Sequence, residues 1–262
     1  MSRLSRTLGT LRDEGRGALM AYLCIGDPDV ATSVEGLVAA AQGGADILEV
    51  GWPFSDPVAD GPVIQAASER ALRHTRRDDV IGAVTRLRAR TEQPIAVLSY
   101  CNPLLAGGLD ETLRALADAG ADALVIPDLP LEEAGAWREA AAACGVSIAP
   151  FIAPTTDAAR LPEIARAADG FVYAVALLGV TGTAEDEEET ILPVVEALRS
   201  YTQAPVLAGF GIRDGASAAR WRRRGLDGVI VGTALVAAME REGPVGVRNL
   251  VRQIRAGIDN LG

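Results

Sequence analysis

The chain has 262 residues and a net charge of −10, and 49% of its residues are hydrophobic although only 4% are aromatic. This length exceeds that of a typical mixed domain but is normal for one eight-stranded α/β barrel. A nucleic-acid-binding protein would need a basic face, and the sequence shows none. No apolar stretch approaches the roughly 18 residues that span a membrane, and the polar N-terminus lacks an apolar signal core. We therefore expect a cytoplasmic protein that binds neither nucleic acid nor membranes.

Cysteine and histidine give little scope for metal or disulfide chemistry. Cys24, Cys101 and Cys144 are far apart and show no paired spacing, which favours reduced, mostly buried thiols. The single His74 lies in a charged segment, where a surface position is expected, and one histidine cannot build a zinc site alone. We therefore predict no metal site.

Apolar runs and helical stretches alternate regularly along the chain. Residues 1–17 predict an amphipathic helix, and eight short apolar runs follow, each bounded by turn residues. Such runs are typical of strands buried on both faces, and their alternation with helices indicates parallel strands joined by right-handed crossovers. The eight runs are ALMAYLC (18–24), ADILEV (45–50), PIAVLSY (94–100), ADALVIP (121–127), VSIAPFI (146–152), GFVYAVA (170–176), APVLAGF (204–210) and DGVIVG (227–232).

Eight such units could form a closed barrel or an open, doubly wound sheet. The units are evenly spaced with no break in composition, and functional-looking residues recur at the C-terminal ends of many strands. We therefore predict a single (β/α)₈ TIM-barrel domain over residues 1–262, with an extra helix at the N-terminus. A repeated Gly-Ala-Asp at 44–46 and 120–122 marks the end of one helix and the start of the next strand.

The segment LEVGWPFSDPVADGPVIQ, residues 48–65, begins at the end of the second predicted strand. Side chains alternate along a strand, so Ile47 and Glu49 share one face while Leu48 and Val50 share the other. If Leu48 and Val50 pack on helices, Glu49 points into the barrel mouth, where a carboxylate is costly unless it is used or paired. Burial would raise the pKa of Glu49 and suit it to transfer a proton. The alternative is a structural ion pair with Lys or Arg.

The loop after this strand is long and stiffened by three prolines, Pro53, Pro57 and Pro62. It can present Asp56 and Asp60 over the pocket. Asp60 is equally compatible with the N-cap of the next helix, and Asp56 with a turn position. Spacing alone leaves these roles open.

Glycine-rich turns follow the last two predicted strands, at 209–215 and 232–234. Glycines there expose backbone N–H groups and open short helices whose N-termini attract anions. The loops after strands seven and eight are the usual phosphate site of these barrels. The glycine spacing does not match the dinucleotide fingerprint. We therefore predict a phosphate site at these two turns.

The loop after the sixth run, GVTGTAEDEEET (179–190), is glycine-rich and then strongly acidic. Gly179, Thr181 and Gly182 could form a mobile lid. The acidic run favours the solvated start of a helix.

The segment 48–65 resembles the signature of tryptophan synthase alpha subunits, and further motifs of that family recur along nearly the whole chain. They are YLCIGDP at 22–28, YCNP at 100–103, PDLP at 127–130, GVTG at 179–182 and GFGI at 209–212.

The resemblance implies retro-aldol cleavage of indole-3-glycerol phosphate to indole and glyceraldehyde 3-phosphate, in the last steps of tryptophan biosynthesis. It implies that Glu49 is the general acid/base and that Asp60 binds the indole N–H and stabilises positive charge on the ring. The substrate-binding residues that it implies are Tyr22, Tyr100, Tyr173 and Phe210 around the indole, Gly182, Gly211, Gly232 and Thr233 at the phosphate, and Thr181 in the lid.

The resemblance implies no cofactor for this subunit, because pyridoxal phosphate belongs to the beta partner of an alpha2beta2 heterotetramer. That partner receives indole through a tunnel. The loop with Pro53 and Asp56 and the loop around Thr181 would face it.

Two departures from the family pattern leave alternatives open. Trp52 stands where the family has a small aliphatic residue, and the stretch 176–178 replaces a more polar one. The alternatives are a free-standing lyase that releases indole, and a weakly active regulatory homologue. Retention of Glu49 and Asp60 argues against the second. Another phosphate-binding barrel, such as a sugar-phosphate isomerase, would explain the glycine turns but not segment 48–65.

Overall fold

The computed structural model describes residues 2–175 and 184–260, and within them nine parallel strands form one sheet. All strands are short and largely buried, as the apolar runs predict. The strands are β1 (Ala18–Cys24), β2 (Ile47–Gly51), β3 (Ile95–Leu98), β4 (Ala123–Val125), β5 (Ser147–Ala149), β6 (Phe151–Ile152), β7 (Val172–Ala174), β8 (Val206–Ala208) and β9 (Gly228–Val231).

Helices fill the connections between the strands. The last helix, α11, is kinked at Gly243, which has a φ of 62° and is followed by Pro244. The helices are α1 (Arg3–Asp13), α2 (Val30–Gly43), α3 (Pro62–Leu72), α4 (Arg77–Arg88), α5 (Cys101–Leu105), α6 (Leu109–Ala119), α7 (Gly135–Ala143), α8 (Leu161–Ala167), α9 (Ala184–Arg199), α10 (Gly215–Arg223) and α11 (Thr233–Asp259). Two short 3₁₀ turns lie at Leu131–Glu133 and Ala158–Arg160.

The sheet closes on itself at Pro150. Its strand order runs β5-β4-β3-β2-β1-β9-β8-β7-β6, and the two end strands are the consecutive segments on either side of Pro150. Proline has no N–H to donate to the ladder, which divides the fifth barrel strand in two. Its carbonyl still accepts a hydrogen bond from the Tyr173 N–H at 2.9 Å. The predicted (β/α)₈ barrel, with each of the eight apolar runs forming one barrel strand, is therefore confirmed.

The helix α1 covers the N-terminal end of the barrel, as the polar N-terminus predicts. Its apolar side chains at Leu4, Leu8 and Leu11 recur every three or four residues and are buried. Ser2 caps the helix by accepting a hydrogen bond from the Ser5 N–H at 3.1 Å. No helix in the described part of the chain is both long and apolar enough to cross a membrane.

Aspartates at the N-terminal end of the barrel fix the register of neighbouring strands. The Asp122 N–H donates to the Ile95 carbonyl, and the Asp122 carboxylate accepts from the Ile95 N–H, both at 2.8 Å. Asp46 makes the same reciprocal pair with Leu19. The repeated Gly-Ala-Asp of the sequence therefore marks a structural clamp, and a third copy joins Asp227 to Val206.

Candidate active site

Glu49 lies inside the barrel near its C-terminal mouth. It pairs in register with Tyr22 of β1, and only 1% of its surface is exposed. Its neighbours Leu48 and Val50 are fully buried, as expected if they pack on the helices outside the barrel. Burial, and then the charge of Asp60, raise the pKa of Glu49 to about 8. The Glu49 Oε1 atom has no hydrogen-bond partner in the described protein, so the alternative of a structural ion pair is not supported.

Asp60 is the second carboxylate of the site, and it does not cap the helix that follows it. The N-cap of α3 is Gly61, with Pro62 as the first helical residue and no side-chain cap. Asp60 is half-buried, and burial raises its pKa to about 6 even though a hydrogen bond from Tyr100 lowers it. The carboxyl group is therefore free of the capping role that the sequence left open.

Tyr100 holds the loop after β2 from the β3 side of the mouth. Its hydroxyl accepts a hydrogen bond from the Ala59 N–H at 3.1 Å and is hydrogen-bonded to Asp60. Its ring packs on Phe54 with centroids 5.2 Å apart. Asp56, by contrast, lies in an exposed turn, where its carbonyl accepts from the Val58 N–H at 2.9 Å.

Tyr173 reaches the two carboxyl groups from the opposite wall of the barrel. Three barrel strands separate β7 from β2 on either side, so their side chains meet only if both point inward. Burial, and then the charges of Glu49 and Asp60, raise the pKa of Tyr173 well above its usual value. The Tyr173 ring lies against Gly209, where an added Cβ would be only 2.1 Å from Cε1.

Tyr22, on β1, is the third tyrosine near the two carboxyl groups. Burial is the largest cause of its strongly raised pKa, and the charges of Asp60 and Glu49 add to it. Its ring packs on Gly51, where an added Cβ would lie 2.4 Å from the hydroxyl oxygen. Three tyrosines and two carboxyl groups therefore share one buried space at the C-terminal mouth.

The N-terminus of α11 lies beside this space. Gly232 is its N-cap and provides no side-chain cap, and Thr233 is exposed at the first helical position. A Cβ on Gly232 would lie 3.5 Å from Tyr22 Cδ1 and 3.3 Å from Ile64 Cδ1. An uncapped helix N-terminus attracts an anion, so a phosphate held there would project its substrate toward Tyr22.

The helix that follows β8 has a side-chain cap at its N-terminus, unlike the helix that follows β9. Gly211 is exposed and has a φ of +70°, a conformation that suits glycine. The helix α10 behind it is capped by its own Asp214, whose carboxylate accepts from the Ser217 N–H at 2.8 Å. The N-terminus of α10 is therefore already satisfied, and α11 is the open helix end of the predicted phosphate site.

Phe210 packs against a helix outside the barrel. Its ring packs edge-on against Trp221 of α10, with centroids 4.7 Å apart and planes at 78°. Its place beside the indole stays a prediction. Thr181 and Gly182 lie outside the described residues, as does the proposed lid around them.

Two aromatic residues beside these tyrosines could not be predicted from the sequence. Phe151 is the register partner of Tyr173, and its ring lies 5.0 Å from the Tyr173 ring. Pro150 interrupts the alternation just before it, which hid the face that Phe151 occupies. Phe54, packed on Tyr100, sits in a loop with no periodicity to interpret. The Trp52 side chain is buried in the core, and the Trp52 backbone N–H donates to the Leu98 carbonyl at 2.9 Å.

One buried and one half-buried carboxyl group with different pKa values, a tyrosine lining and an open helix N-terminus are typical of a barrel enzyme that uses acid–base chemistry on an anionic substrate. Comparison with known proteins shows which family within this class of enzymes the chain resembles. The family model described as tryptophan synthase alpha chain matches residues 8–257. The tryptophan synthase alpha chain of Synechococcus elongatus is 43% identical over 260 residues, covering 99% of this chain and 98% of the relative. That of Carboxydothermus hydrogenoformans is 42% identical over 241 residues, covering 92% and 90%.

Solved structures agree with the sequence relatives. The Mycobacterium tuberculosis tryptophan synthase structure is 38% identical, has a TM-score of 0.91 and covers 98% of each chain. The alpha subunit from Legionella pneumophila is 34% identical, has a TM-score of 0.88 and covers 99% of each chain. This chain belongs to the tryptophan synthase alpha chain family, and it is a lyase of tryptophan biosynthesis.

Proposed function

We propose that this chain cleaves indole-3-glycerol phosphate to indole and glyceraldehyde 3-phosphate, with Glu49 and Asp60 as its catalytic residues. The observation that carries the proposal is the pair of carboxyl groups whose pKa values are raised to different levels, about 8 for Glu49 and about 6 for Asp60. Near neutral pH, Glu49 keeps its proton while Asp60 is ionised. One group can therefore donate a proton while its neighbour stabilises a cation.

The reaction follows from these protonation states. Glu49 gives its proton to the ring carbon that bears the side chain, and positive charge develops on the indole. The carboxylate of Asp60 accepts a hydrogen bond from the ring N–H and stabilises that charge. Glu49, now a carboxylate, takes the proton of the side-chain hydroxyl next to the breaking bond. The C–C bond breaks, its electron pair returns to the ring, and glyceraldehyde 3-phosphate leaves as an aldehyde with Glu49 protonated again.

The remaining predicted residues bind the substrate. Tyr22 on β1 and Tyr173 on β7 enclose the space around the two carboxyl groups from two sides, which suits a flat apolar ring. Gly232 and Thr233 would hold the phosphate at the open end of α11. Roles for Gly211, Phe210, Thr181 and Gly182 are carried over from the family resemblance.

We further propose that the chain works as the alpha partner of a beta subunit in an alpha2beta2 assembly, where the indole is consumed. Two large apolar side chains are exposed at the C-terminal mouth, Val58 at 81% and Leu105 at 49%. Exposed apolar side chains grouped at the rim of a site favour contact with a partner there. Trp52 is buried and does not alter this surface, so it gives no support to a free-standing lyase.

The setting of the enzyme is also proposed. Strands from both ends of the chain, β1 and β9, pair with each other, which supports one domain over residues 1–262. Three cysteines are free thiols, Cys24, Cys101 and Cys144, which fits a reducing compartment. We place the protein in the cytoplasm on these grounds.

Indole release from indole-3-glycerol phosphate tests the proposal, with and without added beta subunit. E49Q removes the acid, and we expect turnover to fall by about 10² to 10⁴-fold with substrate binding retained. E69Q makes the same exchange at an exposed position of α3 and should leave the rate unchanged. Near-normal turnover in E49Q would refute the assignment.

The beta subunit separates the remaining alternatives. Slow release that rises steeply with beta identifies an alpha subunit under partner control. Fast release without beta identifies a free-standing lyase, and no release in either case identifies a regulatory homologue.

A further inference from the structure

Asp27 and Arg70 form a two-pronged ion pair at the C-terminal mouth of the barrel. Arg70 Nε donates to Asp27 Oδ1 and Arg70 Nη2 donates to Asp27 Oδ2, each at 2.8 Å. The Asp27 side chain is only 10% exposed. A planar guanidinium fork on a carboxylate fixes relative orientation as well as distance. The pair joins the loop after β1 to the last turn of α3.

Other contacts attach the same helix and its C-terminal extension to the same loop. His74 Nε2 lies 2.8 Å from the Gly26 carbonyl oxygen, and Cys24 Sγ lies 3.9 Å from Ser68 Oγ. Gly26 has a φ of +94°, and a Cβ there would lie 1.9 Å from Thr75 Oγ1. The α3 segment is therefore docked on the end of β1 over two successive turns.

The docking of α3 bears directly on Asp60, because α3 begins at Pro62, two residues later. The Gln65 side-chain amide donates to the Asp60 carbonyl at 2.8 Å, which ties Asp60 to the first turn of the helix. On the other side, the long proline-containing loop is held near Asp60 by the Tyr100 hydroxyl on the Ala59 N–H. The helix α3 therefore fixes the position of the Asp60 carboxylate from the C-terminal side of the loop. It can do so only while α3 stays docked on the end of β1.

We propose that Asp27 and Arg70 are positioning residues, which hold α3 and thereby keep the Asp60 carboxylate at its place beside Glu49 and the substrate ring. Neither residue touches the reacting atoms. The proposal rests on the catalytic role given to Asp60 under the proposed function. A displacement of about 1 Å at a catalytic group, caused by a change far from the chemistry, can cost roughly 100-fold in rate.

Steady-state kinetics of four variants of the full-length protein, with beta subunit present, test the proposal. R70Q and D27N break the pair, R70K keeps the charge without the fork, and R73Q removes an exposed arginine three residues away. We expect R70Q and D27N to lower kcat by about 10- to 100-fold with KM changed about twofold or less. R70K should recover part of the loss, and R73Q should match the unchanged enzyme.

The double variant D27N/R70Q tests whether the two residues act as one unit. If they act only through their contact, the double variant loses no more rate than the worse single variant. Multiplied losses in the double variant would show two independent effects and overturn the proposal.

A pH profile separates positioning from mere stability. Among the described residues, the titratable groups that interact with Asp60 across the pocket are Tyr22, Cys24, Glu49, Tyr100 and Tyr173. Loss of docking lets water reach Asp60, so the acid limb of kcat/KM should move to lower pH in R70Q and R70K. A variant that is only less stable keeps the limb where it is and loses thermal stability alone. That result, or full activity in R70Q, would overturn the proposal.

The controls keep the two proposals distinct. If D60N retains the rate, the role of Asp60 is wrong and the positioning proposal falls with it. If D60N and E49Q lose the rate but R70K, R70Q and D27N do not, the proposed function stands and the positioning role alone is wrong.

Discussion

Glu49 and Asp60 are neighbouring carboxyl groups that the barrel holds at different pKa values. Burial, and then the charge of Asp60, raise the pKa of Glu49 to about 8. Burial raises that of Asp60 only to about 6, because Asp60 is half-buried and receives a hydrogen bond from Tyr100. Between these two pKa values, the inner carboxyl keeps its proton and the outer one is an anion, as the proposed roles require.

The dependence of kcat/KM on pH should be bell-shaped. Below pH of about 6, protonation of Asp60 removes the anion that stabilises the ring cation, so the rate falls. Above pH of about 8, Glu49 loses the proton that it must donate, so the rate falls again. The profile is measured with isolated protein and repeated for E49D and D60N. D60N should lose the acid limb and most of its rate, about 100-fold or more. A flat profile between pH 5 and 9 would contradict both assignments.

Thermal unfolding gives a second measure of the Glu49 carboxyl that does not depend on activity. Its pKa is raised from the ordinary 4.5 to about 8 in the folded protein, so the folded state binds this proton more tightly than the unfolded state. The stability contributed by the proton is complete at pH below about 4.5 and is lost as pH rises toward 8.

E49Q removes this titration and keeps the shape of the side chain. The unfolding midpoint of E49Q should therefore rise relative to the unchanged protein between pH 5 and pH 8. E69Q, at an exposed position, should show no such trend. A difference between E49Q and the unchanged protein that is constant across this range would mean that Glu49 titrates normally.

The position of Glu49 could be predicted because strand geometry leaves little choice. Side chains alternate along a strand, so if Leu48 and Val50 face the helices, Glu49 faces the interior. The even spacing of the apolar runs, with functional-looking residues at the C-terminal ends of many strands, predicted the barrel. These features depend on local periodicity, which the amino-acid sequence carries directly.

Features that depend on contacts between distant segments could not be predicted. Asp60 matched an N-cap as well as a catalytic group. The structure makes Gly61 the N-cap, and the Asp60 side chain interacts instead with Tyr100, 40 positions away along the chain. Phe151 was hidden because Pro150 interrupts the strand alternation. Phe210 follows the family motif, yet its ring packs on Trp221, which no local pattern indicates. The pairing of Asp27 with Arg70 likewise joins a loop to a distant helix, and no sequence spacing links the two.

Gly209 is a sensitive position because the Tyr173 ring occupies the space of a side chain. A Cβ there would lie 2.1 Å from Tyr173 Cε1 and 2.7 Å from the hydroxyl oxygen. Phe151 packs on the same ring, so Tyr173 cannot move without disturbing the pocket wall. We expect G209A to lower kcat/KM by about tenfold or more through a shift of this ring.

The matched control is G82A in the middle of α4, where an added Cβ meets nothing within 4 Å. This variant should keep full activity and gain about 0.4–1 kcal/mol of stability, because alanine restricts the unfolded chain. Normal activity in G209A would show that the Tyr173 ring can move without cost to catalysis.

Among the aspartates that fix strand register, Asp122 is the one whose replacement should lower the free energy of unfolding most. Its carboxylate is 8% exposed and accepts from the Ile95 N–H at 2.8 Å, from Arg88 at 2.9 Å and from Arg3 at 2.6 Å. D122N keeps one oxygen acceptor but leaves two arginines without their counter-charge. We expect it to lower the free energy of unfolding by about 3 kcal/mol. For a domain of this size, that shifts the unfolding midpoint by roughly 6–12 °C.

The matched control is D118N, which removes the same charge at an exposed position on α6. Its free energy of unfolding should lie within about 0.5 kcal/mol of that of the unchanged protein. Because Asp122 lies at the end of the barrel opposite Glu49, kcat and KM measured well below the midpoint should be normal in D122N. A variant that loses rate without losing stability would show that this end of the barrel communicates with the active site.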